Sequence, residues 1–415
     1  MARGIKSQAE ATQAATPGAR QAGGPGLIRS RYRELTRPWR DALHRTGEWF
    51  DRLPAIYRYV ALASVIAFAA IIPFLLPYIT SDTAYWTNIL SKIGIATLLA
   101  LGLNVVVGFA GLLDLGYVAF FAVGAYTFAI LTGAARFNIA VFNQEPNAFQ
   151  LLPHWHMYFW LFFFVALIVA LVAGVILGTP TLRLRGDYLA IVTLGFGEIV
   201  RITANNLDSV DNGAQGINQI PHPEIHVAAL HYKFGLEYNS YFWLLLGIIV
   251  IWIFLLRRIN HSRVGRAWAA IREDELAAAA MGVATLRMKL LAFAMGAAVA
   301  SFGGVIYATQ VAFISPDTFT LFNVDFGSVI ILAMVVLGGM GGIAGPILGA
   351  ATIIFLPERF RFLGDARLLV FGAVLVVVMI LRPQGLLPSR RRAAELVGGE
   401  VRETTVFEAQ EHGGA

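Results

Sequence analysis

The stretch YFWLLLGIIVIWIFLL, residues 241–256, contains no charged side chain, and Arg257 and Arg258 follow it directly. Apolar runs of this kind, when about 20 residues long, form helices that cross the hydrocarbon of a membrane. Comparable runs lie at 59–79 and 368–381. Of the 415 residues, 57% are hydrophobic and 14% are charged, whereas a soluble domain has about 25% charged residues. The sequence therefore predicts an all-α integral membrane protein.

Hydropathy predicts about ten transmembrane helices, which together form a transmembrane domain over residues 59–388. A polar, basic extension (1–58) precedes this domain, and a tail (389–415) follows it. The first apolar run comes too late and is too long for a cleaved secretory signal, so we expect it to be an uncleaved span. The expected spans are 59–79, 88–109, 113–132, 157–179, 188–205, 241–257, 288–309, 326–339, 344–356 and 368–382.

The net charge of +6 comes from basic residues that lie beside the spans, which indicates topology and not nucleic-acid binding. Since positive loops stay inside, both termini and the loop 258–288 are expected in the cytoplasm. The loop 357–367 disagrees, because it carries three arginines on the expected outer side. Either this loop is an exception, or the region 339–356 re-enters the membrane without crossing it.

Two glycine-interrupted segments stand inside the apolar sequence, at 108–126 and at 336–350. Irregular backbone at membrane depth is tolerated only where it is buried in protein or lines a cavity, and such segments often mark transporter binding sites. The alternative is close helix packing around the glycines. The residues expected to border a translocation path are Gly111, Asp114, Gly116, Gly341, Gly345 and Pro346.

Glu198, Arg201 and Asn205 are spaced three and four residues apart, so they share one face of the helix predicted over 188–205. Charged residues within a span usually pair and face the protein interior. These three residues are therefore candidates for a polar lining of the path. The alternative is a structural Glu198–Arg201 pair near the outer interface.

The stretch REDELAAAAMGV, residues 272–283, lies in the longest predicted internal loop. Its alanines favour a short helix, with Glu273, Asp274 and Glu275 early in it and Gly282 at its carboxyl end. The small-residue face of such a helix suits a cleft in another protein. The alternative is a solvated connector.

This loop resembles the coupling loop of ABC-importer permeases, whose usual motif is Glu-Ala-Ala, three residues and then Gly. The matching residues before Gly282 are Leu276, Ala277 and Ala278, with Glu275 one place early. The segments 108–126, 183–206, 335–350 and 382–387 resemble the LivM-type permeases of branched-chain amino acid importers, a resemblance that covers roughly residues 85–388.

The resemblance implies a permease subunit of an ATP-driven importer of leucine, isoleucine or valine in the bacterial inner membrane. Its implied partners are a second, LivH-like permease, two cytoplasmic ABC ATPases that dock on the coupling loops, and a periplasmic substrate-binding protein. The chain has no phosphate-binding G-x-x-x-x-G-K-[ST] sequence, so the ATPases would bind ATP and this chain would need no cofactor. Two alternatives are an ABC permease for urea or short amides and an ion-coupled amino acid transporter.

No other motif predicts catalysis or metal binding. GMGGIA (339–344) imitates a dinucleotide fingerprint, but that fingerprint requires a soluble βαβ unit. HPEIH (222–226) and HWH (154–156) lack the spacing of a zinc site, and the chain has no cysteine. We therefore expect a transport subunit with no enzymatic activity and no metal.

Overall fold

The computed structural model describes residues 69–78, 81–132, 158–182, 184, 186–227, 230–233, 238–364, 366–381 and 385–387, together with positions 64 and 67. Most of these residues are helical. The extension 1–58 and the tail 389–415 lie outside the described residues, as do both termini. Their predicted cytoplasmic location therefore stays a prediction.

The helices of more than one turn are α1 Ala69–Tyr78, α2 Thr83–Asn104, α3 Val118–Leu131, α4 Tyr158–Thr181, α5 Asp187–Asn206, α6 Tyr238–Asn260, α7 Arg263–Glu273, α8 Glu275–Ala280, α9 Thr285–Val311, α10 Ser328–Gly338, α11 Ala344–Arg359 and α12 Ala366–Leu381. A π-helical turn, Val105–Phe109, continues α2. The strands are β1 Ile217–Asn218, β2 Glu224–Val227, β3 Leu230–Lys233 and β4 Phe313–Ile314. β1 pairs with β4 and β2 pairs with β3, both antiparallel.

Four helices in the described part of the chain are long and apolar enough to cross a membrane: Thr83–Phe109, Trp160–Thr181, Asn239–Asn260 and Thr285–Val311. The helical content and these four helices confirm the membrane-protein class. The count of about ten spans stays a prediction. The first and the last of the four are buried over most of their length and form the centre of the fold, whereas the other two expose broad apolar faces.

The central helices approach one another closely at glycines. A β-carbon on Gly304 of α9 would collide with the carbonyl oxygen of Phe121 in α3, and one on Gly124 of α3 would lie 2.5 Å from the Cα of Ser301 in α9. Helices in lipid associate largely through such close contacts, since there is little hydrophobic drive to bring them together. These glycines are therefore part of the packing of the core.

We expect Gly304→Leu to destabilise the protein strongly, because α9 and α3 would have to separate. Overpacking of a well-filled core costs about 1–3 kcal/mol and sometimes more. Gly247→Leu is the matched control, since a β-carbon on Gly247 of α6 meets nothing within 4 Å. The measurement is the melting temperature and the yield of each variant in detergent. Equal stability of the two variants would contradict the close α3–α9 contact.

Helix α11 runs antiparallel to α2 along nearly its whole length. At one end the Tyr85 hydroxyl donates a hydrogen bond to Glu358, and Trp86 packs against Phe355 with ring centroids 6.0 Å apart. At the other end the Asn104 side chain bonds to the loop that precedes α11, at Gly342. The loop 357–367 and the loop 339–343 therefore lie at opposite ends of α2. Residues 344–359 thus form one continuous helix beside α2, and the outer location of the loop 357–367 stays a prediction.

Helix α10 is short and packs antiparallel against α11. Gly338 and Gly349 both lie where a β-carbon would collide with the backbone of the facing helix. At about 1.5 Å per residue, the 11 residues of α10 extend about 16 Å, well short of the ~30 Å hydrocarbon layer. Just before the first turn of α10, Asp325 forms an ion pair of 2.8 Å with Lys92 of α2. Helix α10 is therefore shorter than the hydrocarbon layer is thick, and the span expected at 326–339 stays a prediction.

Candidate functional site

The loop between α6 and α9 is a folded element that packs on the rest of the chain. Helix α7 starts at Ser262, whose hydroxyl accepts a hydrogen bond from the Val264 N–H at 3.1 Å. The Trp268 side chain is fully buried, and its ring N–H donates to the Met288 carbonyl oxygen of α9 at 2.7 Å. Such contacts are those of a structural element, and the coupling role of the loop stays a prediction.

The expectation that three acids lie early in one helix is wrong. Glu273 is the last residue of α7, and Asp274 is in an extended conformation between the two helices. One carboxylate oxygen of Asp274 accepts hydrogen bonds from the N–H groups of Leu276 and Ala277, at 2.8 and 3.0 Å. Asp274 is thus the N-cap of α8, where a carboxylate satisfies two otherwise unpaired donors. Only Glu275 lies in the first turn of the short helix.

Gly282 ends α8 as the sequence predicts. Its φ of 84° is in the left-handed region that favours glycine. The Val283 N–H donates to the Ala278 carbonyl oxygen and the Gly282 N–H to that of Ala279, both at 3.0 Å, which is the Schellman pattern. A β-carbon on Gly282 would meet nothing within 4 Å, so its backbone conformation, not crowding, requires glycine.

An ion pair holds α8 against α9. The Lys289 amino group lies 2.6 Å from a carboxylate oxygen of Glu275, and the Lys289 side chain is only 4% exposed. Ala278 also faces inward and is buried, whereas Leu276 and Ala277 face outward, and Leu276 is 64% exposed. The predicted coupling residues therefore divide into an inner set that fixes the helix and an outer set available to a partner.

The first glycine-interrupted segment begins within the π turn that follows α2. The Ala110 and Leu112 N–H groups bond to carbonyl oxygens five and six residues back, so the chain unwinds before α3 begins at Val118. Asp114 lies in this segment and is 1% exposed. One of its oxygens accepts the Gly116 N–H at 2.9 Å, and the other makes no hydrogen bond with any described residue. The acid faces a small cavity between α3, α4, α5 and α9.

Gly111 and Gly116 each make room for a neighbouring element. Gly111 has a φ of 72°, and a β-carbon there would lie 2.9 Å from Cγ of Arg272 in α7. A β-carbon on Gly116 would collide with the carbonyl oxygen of Thr193 in α5, whose hydroxyl also accepts the Leu115 N–H at 3.0 Å. Gly116 therefore serves helix packing in this structure, which was the alternative to a pore-bordering role.

The second glycine-interrupted segment is clamped by the side chain of Asn104, which is completely buried. Its amide nitrogen donates to the Gly342 carbonyl oxygen at 2.7 Å, and its oxygen accepts the Gly341 N–H at 3.0 Å. Gly345 and Pro346 are buried in the first turn of α11, a position where proline is tolerated.

The two glycine-interrupted segments meet. A β-carbon on Gly108 would lie 2.7 Å from the backbone nitrogen of Gly341. The carboxyl-terminal residues Gly385–Leu387 join them, because Leu386 and Leu387 donate N–H groups to the carbonyl oxygens of Leu337 and Gly338. The structure thus brings together at one end of α2 two segments that the sequence suggested separately.

The polar residues of α5 lie apart from Gly108 and Gly341, beside the segment that follows β4. Arg201 donates hydrogen bonds to Glu198, and its guanidinium also lies 3.8 Å from Asp317, which follows β4. The Glu198 and Arg201 side chains are 37% and 26% exposed, and Asn205 is half-buried. The predicted Glu198–Arg201 pair is confirmed, but these residues do not join the group around Gly108 and Gly341.

Sequence reasoning missed Arg272, Asn104 and Lys289. The signal for Lys289 was available, because a lysine next to an apolar run needs a partner once it is buried. Among the described residues, no group of three histidine, aspartate or glutamate side chains could hold a metal ion. His222 of the HPEIH stretch bonds to the Tyr241 hydroxyl at 2.8 Å.

Comparison with known proteins identifies related permeases. The high-affinity branched-chain amino acid transport system permease protein LivM of Escherichia coli is 38% identical over 358 residues, which cover 81% of this chain and 77% of that protein. A probable branched-chain amino acid transport permease protein LivM of Methanocaldococcus jannaschii is 25% identical over 52% of this chain and 64% of its own length. The autoinducer 2 import system permease protein LsrC of Salmonella typhimurium is 27% identical over 28% of this chain and 32% of its own length.

No solved structure matches the chain. The family model described as "Branched-chain amino acid transport system / permease component" matches residues 85–381. This range runs from the first turn of α2 to the last residue of α12, and it contains both glycine-interrupted segments and the loop between α6 and α9. The chain is a transport permease and belongs to this family of branched-chain amino acid transport system permeases.

Proposed function

We propose that the chain is one permease subunit of an ATP-driven importer of leucine, isoleucine and valine. It pairs with a second, similar permease, and a cytoplasmic ATPase docks on helix α8 of the loop 258–288. The observation that carries this proposal is the construction of that loop. Its helix α8 is anchored by buried contacts on one side and offers exposed apolar side chains, Leu276 and Met281, on the other.

The outer surface of α8 fits a cleft in a partner protein. Leu276 is 64% and Met281 86% exposed, and between them Ala277, Ala279 and Ala280 are also exposed. Burial of these apolar side chains in a partner protein is favourable. The small residues between them let α8 enter a cleft without steric conflict. Because the ion pair between Glu275 and Lys289 fixes α8 on α9, movement of α8 would be transmitted to α9.

A second permease is supported by the partly exposed charges of α5. Glu198 and Arg201 lie on a helix that exposes Ile191, Ile199 and Ile202, as a membrane helix would. A charge that faces hydrocarbon at the bilayer centre costs about 2.5–3.5 kcal/mol. We therefore place this face of α5 against the second subunit, beside the path between the two.

The proposed substrate rests on the names of the most similar relatives, and uptake assays test it. The chain would be reconstituted in lipid vesicles with its second permease, ATPases and binding protein, and uptake of labelled leucine, isoleucine and valine would be compared with that of urea, acetamide and autoinducer 2. We expect saturable uptake of the three branched amino acids only. Preferred uptake of urea or acetamide would assign the chain to the amide class instead.

We further propose the bacterial inner membrane as the location, with the loop 258–288 in the cytoplasm. Phe322 and Met281 are both more than three-quarters exposed, and they lie near opposite ends of α9. In this naturally cysteine-free chain, we expect Phe322→Cys to react with a membrane-impermeant maleimide in intact cells. In cells that lack the ATPase subunits, which would otherwise cover Met281, Met281→Cys should react only after permeabilisation. The reverse pattern would overturn the orientation.

A further inference from the structure

Arg272, the penultimate residue of α7, reaches into the first glycine-interrupted segment. Its Nη1 donates a hydrogen bond of 2.6 Å to the carbonyl oxygen of Gly108. Its side chain passes over Gly111, where a β-carbon would come within 2.9 Å of Cγ. The guanidinium therefore joins the loop 258–288 to a point 164 residues earlier in the sequence.

The acceptor, the Gly108 carbonyl oxygen, lies where the regular hydrogen bonding of the helix has ended. The last four carbonyl groups of a helix have no partner within it, and the π turn at Val105–Phe109 rearranges the bonds at this end of α2. The carboxyl end of a helix also carries partial negative charge, so a guanidinium there forms a charge-assisted bond. Arg272 thus binds the π turn that follows α2, at its fourth residue.

On the other side, Arg272 is close to the proposed docking surface. Only Glu273 separates it from Asp274, the N-cap of α8. Helix α7 is itself held on α9 through Trp268. A displacement of α8 by a docked partner therefore acts directly on the end of α7 that carries Arg272.

The contact also leads to the second glycine-interrupted segment. Gly108 lies against the backbone nitrogen of Gly341, and the buried Asn104 side chain bonds to Gly341 and Gly342. Movement at Gly108 would therefore displace the loop between α10 and α11. One chain of contacts runs from α8 through Arg272 to both glycine-interrupted segments.

We propose that Arg272 is the positioning residue that transmits movement of the coupling helix to the two glycine-interrupted segments. The proposal rests on the proposed function, because it assumes that an ATPase moves α8. Arg272 touches neither ATP nor substrate in this scheme. Its loss should separate ATP hydrolysis from transport and leave docking intact, because the docking side chains are on α8.

The test compares Arg272→Gln, Arg272→Lys and Arg266→Gln in the complete reconstituted complex. Arg266 is the matched control: it lies on the same helix and is exposed, and within the described part of the chain its guanidinium bonds near its own helix start, to the His261 carbonyl oxygen. We expect Arg272→Gln to retain the ATPases and most of their hydrolysis, with at least tenfold less substrate moved per ATP. Arg272→Lys should recover part of that ratio, and Arg266→Gln should behave as the parent.

A second readout follows the movement itself. Ala344 is exposed at the start of α11, directly after the clamped loop, and a cysteine there would be the only one in the chain. We expect ATP to change the maleimide labelling rate of Ala344→Cys in the parent, and this change to disappear when Arg272→Gln is added. A purely stabilising arginine would leave the ATP-dependent change in place.

Normal substrate-to-ATP ratio in Arg272→Gln would overturn the proposal, and so would failure of this variant to assemble, which would assign Arg272 a structural role only. These results are distinguishable from failure of the proposed function. In that case the unmodified complex itself would show no ATP-driven uptake, whatever residue stood at 272.

Discussion

Replacement of Leu276 by glutamate is expected to release the ATPase subunits while the permease stays folded in the membrane. Leu276 is 64% exposed and packs little within its own chain, so its loss should not affect folding. Burial of an unpaired carboxylate in a partner's apolar cleft is strongly unfavourable, because the charge would lose its hydration. Met281→Glu should act in the same direction, since Met281 lies at the other end of the exposed surface.

The measurement is ATPase co-purification with the tagged permease, followed by substrate-stimulated ATP hydrolysis in vesicles. We expect at least a tenfold loss of bound ATPase for Leu276→Glu. Phe322→Glu is the control, because Phe322 is 79% exposed but lies near the opposite end of α9. Normal co-purification in both the Leu276 and Met281 variants would show that the ATPases dock elsewhere.

A large loss of stability is expected when the ion pair between α8 and α9 is broken. Glu275→Ala would leave the buried Lys289 amino group without its carboxylate partner at 2.6 Å. Removal of one partner from a buried pair costs about 3–5 kcal/mol, whereas exchange of both partners for apolar residues is often neutral. Because Glu275 is about one-third exposed, we expect Glu275→Ala to lower the free energy of unfolding by an amount at the lower end of that range.

The double variant Glu275→Leu, Lys289→Met separates the pair from the individual charges. We expect melting temperatures to fall in Glu275→Ala and to recover in the double variant. Glu273→Gln is the matched control for loss of one acid, since Glu273 is exposed at the end of α7. An unchanged melting temperature in Glu275→Ala would mean that the pair does not hold α8 in place.

The sequence allowed prediction of the fold class and of the end of α8, but not of its beginning. Long apolar runs and a glycine after an alanine run each have one dominant physical explanation, and both predictions agree with the structure. Glu273, Asp274 and Glu275 were all assigned to one first turn. The chain instead breaks at Asp274, because aspartate is a strong N-cap and competes with the helix for its own backbone.

The roles of the glycines and the long-range contacts were beyond sequence reasoning. Glycine allows both irregular backbone and close helix contact, so Gly116 gave no sign that it packs against Thr193. Arg272 looked like one more basic residue of an internal loop. Its contact with Gly108 depends on how distant segments fold together, and local periodicity carries no information on that.

In the proposed function, ATP hydrolysed by partner subunits drives transport through this chain. The most direct measurement is initial uptake of labelled leucine into vesicles that contain the complete complex, with the loop 258–288 facing the lumen and ATP supplied there. Binding protein would be added outside, and vesicles that hold the permeases without ATPases would be compared under imposed proton and sodium gradients. We predict uptake that requires lumenal ATP and all subunits and that does not respond to either gradient. Gradient-driven leucine uptake by the permeases alone would contradict the account and favour an ion-coupled transporter.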